Sequence, residues 1–202
     1  PSGPWKDATA PGCLCEGWGA SGTIINPDGS VGGTVTGFAD VSVGGVTNLE
    51  VKNFAVDTVS ITSTVWIKDA SGNPILEVTH KYGTSSTSPS VLFQGSVTIT
   101  NISGKTVRDV RYNRTMDWDM PDATFRYYST EFNEYVTHTG INSSLASSTL
   151  PKLLYAGDNG FMLPNPLNSS YSYYMNPSTY NRDFVRIGPA DHGSAFTFSL
   201  GD

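Results

Sequence analysis

The chain has 202 residues, a formal net charge of −6 and only 15% charged residues, and its Lys and Arg residues form no cluster. Binding to nucleic acid or to an anionic membrane surface needs concentrated positive charge, so the composition argues against both. The sequence also contains no run of about 18 apolar residues, so insertion into a membrane is not expected. Hydrophobic residues make up 38% of the chain, which is enough to bury a core.

The balance of residue types favours a secreted β protein. Ser, Thr and Asn are abundant, and 21 Gly with 12 Pro are unfavourable for helices. The chain starts at Pro1 rather than at Met, which we interpret as a processed mature product or a segment of a longer one. An extracellular or cell-surface location is therefore expected.

The amino-terminal residues 1–22 show no strand periodicity but do contain potential anchors, at Trp5, Cys13, Cys15 and Trp18. Because such a segment has no core of its own, it is predicted to dock on another surface. Trp5 and Trp18 are its candidate subunit contacts, since aromatic side chains bury much area at an interface. Residues 23–202 are predicted to form a β-sandwich domain.

Two hairpins are predicted in the first half of this domain. Residues 23–26 and 31–38 flank the turn sequence Pro-Asp-Gly-Ser. Residues 59–68 and 75–82 alternate between apolar and polar side chains on either side of a Gly-containing turn. Residues 51–56 are predicted to add a short strand.

The longest period-two pattern in the sequence lies in residues 90–119. Its first half places on one face, which is predicted to be buried, Val91, Phe93, Gly95, Val97 and Ile99. After a turn at residues 101–105, the second half has an apolar face with Val110, Tyr112, Met116 and Trp118. Its opposite, polar face holds Asp109, Arg111, Asn113, Thr115 and Asp117. The two halves are predicted to pair as an antiparallel hairpin.

The last part of the chain is less regular. Residues 132–139 and 194–200 are predicted strands, whereas residues 140–189 contain five prolines and a tyrosine-rich patch with Tyr171, Tyr173 and Tyr174 as candidate subunit contacts. A loop of this length normally serves a function or a partner. The predicted fold class is all-β: an immunoglobulin-like antiparallel β-sandwich with a long irregular arm, with a barrel as the alternative.

Two groups of residues are candidates for a disulfide or a metal site. Cys13 and Cys15 are predicted to form an intrachain disulfide, with pairing to a neighbouring subunit and zinc binding as open alternatives. Oxygen ligands for calcium would come from Asp117, Asp119 and Asp122. A solvated strand end is the simpler interpretation of these carboxylates, and no other cofactor is expected.

No motif in the sequence indicates an enzyme. The histidines His80, His138 and His192 are scattered, and the sequence contains no nucleophile elbow, phosphate-binding loop or metalloprotease helix. Four Asn-x-Ser/Thr sequences are candidate glycosylation sites, at Asn101, Asn113, Asn142 and Asn168. The first three lie in predicted turns or on the predicted polar face, so attachment of a sugar to them is sterically allowed.

Four stretches of the sequence resemble a known family, and they are residues 13–19, 100–119, 158–161 and 188–196. The most specific part is Arg114-Thr-Met-Asp-Trp-Asp119. The family consists of secreted bacterial β-sandwich proteins of uncharacterised function, some with a carboxy-terminal surface-sorting signal. The resemblance brings no catalytic residues. It implies a further strand after residues 200–201, which either belongs to a part of the protein that follows this sequence or is supplied from elsewhere.

A sandwich short of one strand exposes an edge to which a neighbour's extended segment can add. Repeated head to tail, such a contact builds a filament, so the chain is similar to subunits of extracellular, glycosylated filaments whose partner is the chain itself. The first alternative is a calcium-assisted carbohydrate-binding module, with a platform of Tyr171, Tyr173, Tyr174 and Tyr180. The second is a secreted hydrolase.

Overall fold

The computed structural model describes residues 16–41, 43–90, 92–117, 152–157, 163–167 and 193–202. These residues contain no helix and form two antiparallel sheets in a sandwich-like arrangement, which confirms the predicted fold class. Predictions for residues 132–139 fall outside the described part of the chain.

The described residues form ten strands. They are β1 Glu16–Ile25, β2 Val31–Asp40, β3 Gly45–Thr47, β4 Leu49–Val56, β5 Ser60–Lys68, β6 Pro74–Thr84, β7 Phe93–Asn101, β8 Thr106–Asp117, β9 Lys152–Gly157 and β10 Gly193–Gly201. One sheet has the order β3-β2-β1-β8-β10-β9, and the other has the order β4-β5-β6-β7.

The chain divides into two compact units, of which one comprises Gly22–Gly37 and Thr47–Arg108. Its core side chains come from both sheets and are Ile24, Val35, Val65, Ile67, Ile75, Leu76, Val78 and Val107. Gly37 allows the two layers to approach closely, because a Cβ atom there would lie 2.8 Å from Cδ2 of Leu49 in the other sheet. A side chain at this position would push the layers apart. Gly22 makes room within its own sheet, because a Cβ atom there would lie 2.6 Å from Cγ1 of Val107 on the neighbouring strand β8.

Both hairpins predicted in the first half are confirmed. Strands β1 and β2 are neighbours, joined by a turn at residues 26–30 in which the Gly29 amide donates to the carbonyl of Asn26 at 2.9 Å. Strands β5 and β6 pair from Ser60 opposite Gly83 to Lys68 opposite Pro74. Asp69 closes their turn, because its Oδ1 accepts from the amides of Ser71 and Asn73, both at 2.9 Å.

The hairpin predicted in residues 90–119 is wrong, because its two strands belong to different sheets. Strand β7 pairs with β6, from Phe93 opposite Thr84 to Asn101 opposite Leu76, whereas β8 lies between β1 and β10. The turn after Asn101 carries the chain from one sheet to the other. There the Asn101 side chain donates to the Lys105 carbonyl at 2.7 Å, and the Ile102 amide donates to the Ile75 carbonyl at 2.9 Å.

The second unit comprises Pro1–Ser21, Phe38–Val46 and Asp109–Asp202. In it β10 pairs with β8 on one side and with β9 on the other, which confirms the predicted final strand. The irregular region predicted at residues 140–189 contains β9 and the short segment 163–167, whose Pro164 and Pro166 are fully buried. Strand β1 begins at Glu16, so only residues 1–15 of the predicted docking segment precede it.

The turn between β3 and β4 depends on Asn48, which has a φ of 53°. Its side-chain amide donates to the carbonyls of Thr36 and Lys68, both at 2.8 Å, and so ties β2 and β5 together. We expect Asn48→Gly to be less stable than the wild type because it loses these two hydrogen bonds. Asn48→Ala should lose a further ~1 kcal/mol of unfolding free energy, since a Cβ disfavours this backbone conformation. Urea unfolding of the three proteins would contradict this account if Ala were as stable as Gly.

Candidate interaction surface

The four-stranded sheet has an apolar inner face, and this face extends beyond the part of it that is buried in the core. Cross-strand partners share a face, so the register aligns the inner side chains in rows across the sheet. One row is Val51, Val65, Val78 and Ile99, and the next is Phe54, Ser63, His80 and Val97. A third row is Val56, Ile61, Tyr82 and Gly95, and beyond it Phe93 lies opposite Thr84.

On the two central strands, β5 and β6, exposure rises from one end of this face to the other. In the first row Val65 is 5% exposed and Val78 is fully buried, whereas Tyr82 in the third row is 38% exposed. The sheet margins are more open still, with Phe54 at 65% and Phe93 at 87%. We use the name "open surface" for the exposed inner-face residues Val51, Phe54, Val56, Ile61, Tyr82, Phe93 and Val97. It is a continuation of the hydrophobic core that no described residue covers.

Strand β7 forms the margin of the open surface and, among the described strands, an edge of its sheet. Eight of its nine residues are exposed and the ninth, Ile99, is half-buried. Its apolar residues face the open surface, and Gln94, Ser96, Thr98 and Thr100 face the other side. An exposed edge with one apolar face is a template for a further strand.

Gly95 interrupts the row of apolar side chains along β7. The neighbours along the strand on the same face are Phe93 and Val97, and the cross-strand neighbour is Tyr82. A Cβ atom at Gly95 would lie 3.1 Å from Cε1 and 3.3 Å from Cδ1 of Tyr82, so the ring of Tyr82 packs over the bare backbone. The missing side chain at position 95 thus makes room for the Tyr82 ring.

The opposite face of the same sheet is polar and internally paired. Nζ of Lys52 lies 3.9 Å from the centre of the Trp66 ring, and Nε1 of Trp66 donates to Glu77 at 2.9 Å. Glu50 forms ion pairs with Lys52 and Lys68, and these bonds lower the pKa of its carboxyl. The apolar character is therefore confined to the inner face.

One titratable residue lies within the rows of the inner face. His80 is 3% exposed, and its ring stacks on that of Tyr82 with centroids 6.1 Å apart. Desolvation by burial lowers the pKa of His80 to about 4 and raises the pKa of Tyr82. Both side chains are therefore neutral at pH 7, and neither places a charge beneath the open surface.

The structure describes four of the residues that the sequence singled out as site candidates. Trp18 stacks on Tyr112 with ring centroids 6.5 Å apart, so it is engaged in packing within its own unit. Asn101 is exposed, and its Oδ1 accepts from the hydroxyl of Ser103 at 2.7 Å. Asp117 is the last residue of β8.

The fourth, Asn113, corrects a prediction. It was expected on an exposed polar face, but Asn113 and Thr115 are fully buried, and Nδ2 of Asn113 donates to the hydroxyl of Thr197 at 2.6 Å. The reason is that these β8 side chains are buried within their own unit, where Asn113 pairs with Thr197 and Thr115 pairs with Asp40. Asn113 is therefore inaccessible to a sugar-transferring enzyme in the folded domain.

The other candidates lie outside the described residues. They are Trp5, Cys13, Cys15, Asp119, Asp122, Asn142, Asn168, Tyr171, Tyr173, Tyr174 and Tyr180. Within the described ranges, no cluster of three or more His, Cys, Asp or Glu side chains is positioned to hold a metal ion. The described part of the chain also has no helix that could span a membrane.

Sequence reasoning did not identify Phe54, Val56 or Tyr82 as part of a site. The available signal was weak, because the apolar residues of β4 are spaced by a bulge between Val51 and Asn53 rather than by strict alternation. Comparison with protein-family models, with curated proteins and with solved structures finds no match.

Proposed function

We propose that this protein is an extracellular structural subunit that polymerises with copies of itself, and that the open surface is the acceptor for the neighbouring copy. The observation that carries this proposal is the exposed apolar face along the edge strand β7. Burial of such a face is the main favourable term in protein association. A surface covered by an identical neighbour can remain apolar in a secreted protein without causing irregular aggregation.

The shape of the open surface supports a protein partner rather than a small ligand. Six of its seven side chains lie on three neighbouring cross-strand rows, and Phe93 lies at the end. Small-molecule sites are concave clefts, whereas these side chains lie along one face of a sheet. Two large aromatic residues, Phe54 and Phe93, are mostly exposed, and aromatic side chains dominate the energy of interfaces.

The edge of β7 adds a directional component. A partner segment that continues the sheet would form backbone hydrogen bonds to β7 and place alternate side chains over the apolar face. Such a contact uses different parts of the two copies, so it does not close into a dimer and leaves an acceptor free at the end of each chain of subunits. This geometry favours a filament.

Sugars on the filament are a further part of the proposal. Among the described Asn-x-Ser/Thr sequences, Asn101 is exposed. It is the last residue of β7, and its side chain donates to the Lys105 carbonyl in the turn that follows. A glycan there would occupy solvent beside the edge strand. Composition supports an extracellular location, because Ser and Thr are abundant and charged residues are few.

A pair of neighbouring substitutions on β7 tests the proposal. Val97 lies on the open surface and Thr98 on the polar face of the same strand. We expect the wild-type protein to form filaments of uniform width by electron microscopy, Thr98→Lys to form them too, and Val97→Lys to remain a monomer. In the monomer the lysine can extend to solvent, whereas in the assembly its charge would be buried. A wild-type protein that stays monomeric, or a Val97→Lys protein that polymerises normally, would contradict the proposal.

A further inference from the structure

We propose that the strand docked on the edge of β7 is β4 of a second copy, so that the four-stranded sheet continues from one subunit into the next. In this pairing Phe54 of the second copy lies opposite Val97, and Val56 of the second copy lies opposite Gly95. The inference rests on the proposed function and names the donor that the function requires.

The two outer strands of the four-stranded sheet are both open edges in the described part of the chain. The sheet has the order β4-β5-β6-β7, so β4 lies at one side and β7 at the other. Its three pairings are all antiparallel, so β4 and β7 run in opposite directions. A copy placed beside β7 in the same orientation therefore presents its β4 antiparallel to β7, and further copies can add in the same way.

The backbone groups of β4 that face the open edge belong to Phe54 and Val56. In an antiparallel pair, residues alternate between those whose N–H and C=O point to the partner strand and those whose groups point away from it. The Asp57 amide donates to the carbonyl of Ser60 on β5 at 2.9 Å, so the groups of Asp57 point to β5. Phe54 and Val56 differ from Asp57 by an odd number of positions in the same register, so their groups point away from β5.

The backbone groups of β7 that face its open edge belong to Gly95 and Val97. The Ile102 amide donates to the carbonyl of Ile75 on β6 at 2.9 Å, in the register that β7 keeps throughout. Gly95 and Val97 differ from Ile102 by an odd number of positions, so their groups point away from β6. A pairing of Phe54 with Val97 thus brings outward groups of both strands together, and each such pair exchanges two hydrogen bonds.

The same register also aligns the two faces of the sheet. Phe54 and Val97 already belong to one cross-strand row, and Val56 and Gly95 belong to the next, so a copy at the same level continues both rows. Phe54 and Val56 are each 65% exposed, and Val97 is 39% exposed. The pairing therefore joins the two apolar margins of the open surface, and cross-strand contacts of this kind stabilise a sheet.

The paired segments lack the features that commonly block edge-to-edge contacts, which are charged side chains, proline and bulges. Strand β7 has no charged residue and no proline, and it pairs with β6 without a register shift. On β4 the bulge lies before residues 53–56, which are uncharged. Lys52 is held on its own sheet, with Nζ 3.9 Å from the centre of the Trp66 ring and 2.9 Å from Glu50.

Complementary variants of the full chain test this assignment. Phe54→Lys blocks the donor edge and leaves β7 intact, whereas Val97→Lys blocks the acceptor edge and leaves β4 intact. We expect neither variant to polymerise alone. Mixed in equal amounts, they should form a complex of two chains and nothing longer, because one donor edge and one acceptor edge remain. Ala55→Lys, on the polar face of β4, is the matched control and should polymerise like the wild type.

Hydrogen exchange of the backbone amides tests the register. Wild-type filaments should protect the amides of Phe54 and Val56 relative to monomeric Val97→Lys, and the amides of Gly95 and Val97 relative to monomeric Phe54→Lys. The amide of Thr98 points to β6, so it should be protected in the filament and in the monomers alike. Filaments in which the first four amides exchange as fast as in the monomers would overturn the inference.

The outcomes separate this inference from the proposed function. A wild-type protein that never polymerises overturns both. Wild-type filaments together with normal filaments of Phe54→Lys overturn the inference alone, because another segment is then the donor, and long filaments from the mixture do the same. A Phe54→Lys protein that dimerises on its own pairs β7 with β7, which also overturns the inference. If Phe54→Lys lowers the unfolding midpoint, Val56→Lys replaces it as the donor variant.

Discussion

Replacement of Gly19 by alanine is expected to lower the free energy of unfolding by about 3 kcal/mol, the upper end of the range for overpacking a core. Gly19 is buried in β1, and a Cβ atom there would overlap the carbonyl oxygen of Pro164 and lie 3.0 Å from Cβ of Phe38. Pro164 is itself fully buried, and its carbonyl belongs to the backbone. The overlap therefore cannot be relieved by rotation of a side chain.

Two other glycines provide a graded comparison. A Cβ atom at Gly44 would overlap Cδ1 of Leu163, which belongs to a side chain that can change rotamer. At exposed Gly32 it would meet only the side-chain amide of Asn26, with Oδ1 at 2.5 Å. Urea-unfolding midpoints should therefore decrease in the order Gly32→Ala, Gly44→Ala, Gly19→Ala. Equal stability of Gly19→Ala and Gly32→Ala would mean that segment 163–167 does not lie against β1 in solution.

The alternation in residues 90–117 predicted both strands but not their partners. Side-chain period identifies the two faces of a strand and contains no information on which strand lies beside it. The turn at residues 101–105 has the sequence of a hairpin turn. The actual neighbours are decided by β6, which pairs with the full length of β7. Sequence reasoning therefore placed β7 and β8 correctly along the chain and wrongly paired them with each other.

The polar face of β8 shows a second limit of prediction from the sequence. Asn113 and Thr115 were expected to face solvent, because burial of polar groups is costly unless they are hydrogen-bonded. In the fold both are buried, and Nδ2 of Asn113 donates to Thr197 while the Thr115 hydroxyl donates to Asp40 at 3.4 Å. These residues are up to 84 positions apart. A pattern read within one strand cannot detect that compensation.

Part of the candidate site could be predicted from the sequence. Phe93 and Val97 were correctly placed on one apolar face, but that face was expected to be buried, and Phe93 is the most exposed of the large hydrophobic residues described. Exposure depends on where the opposing layer ends, which is a property of the assembled sheets. The same pattern thus predicts a core strand and an acceptor strand equally well.

Acidification is expected to destabilise the protein through His80. In the unfolded chain a histidine has a pKa near 6.5, whereas burial lowers the pKa of His80 in the fold to about 4. Between these values the unfolded state binds a proton that the folded state does not, so stability falls as the pH decreases from about 6.5 to 4. The loss at pH 4 reaches about 3 kcal/mol, and above pH 7 the residue contributes no pH dependence.

Three carboxylates add to the acid effect only at the lower end of the window. Hydrogen bonds lower the pKa of Asp28, Asp57 and Asp69, so the stability they contribute begins to be lost only as the pH approaches the ordinary carboxyl value of about 4. Urea-unfolding midpoints measured from pH 7.5 to 4.5 should decrease more steeply for the wild type than for His80→Gln, whose side chain does not titrate. The difference between the two slopes isolates His80 from His138 and His192. Parallel slopes, or an NMR titration of His80 with a midpoint near 6.5, would show that the imidazole is hydrated and that the inner face is open to water at that row.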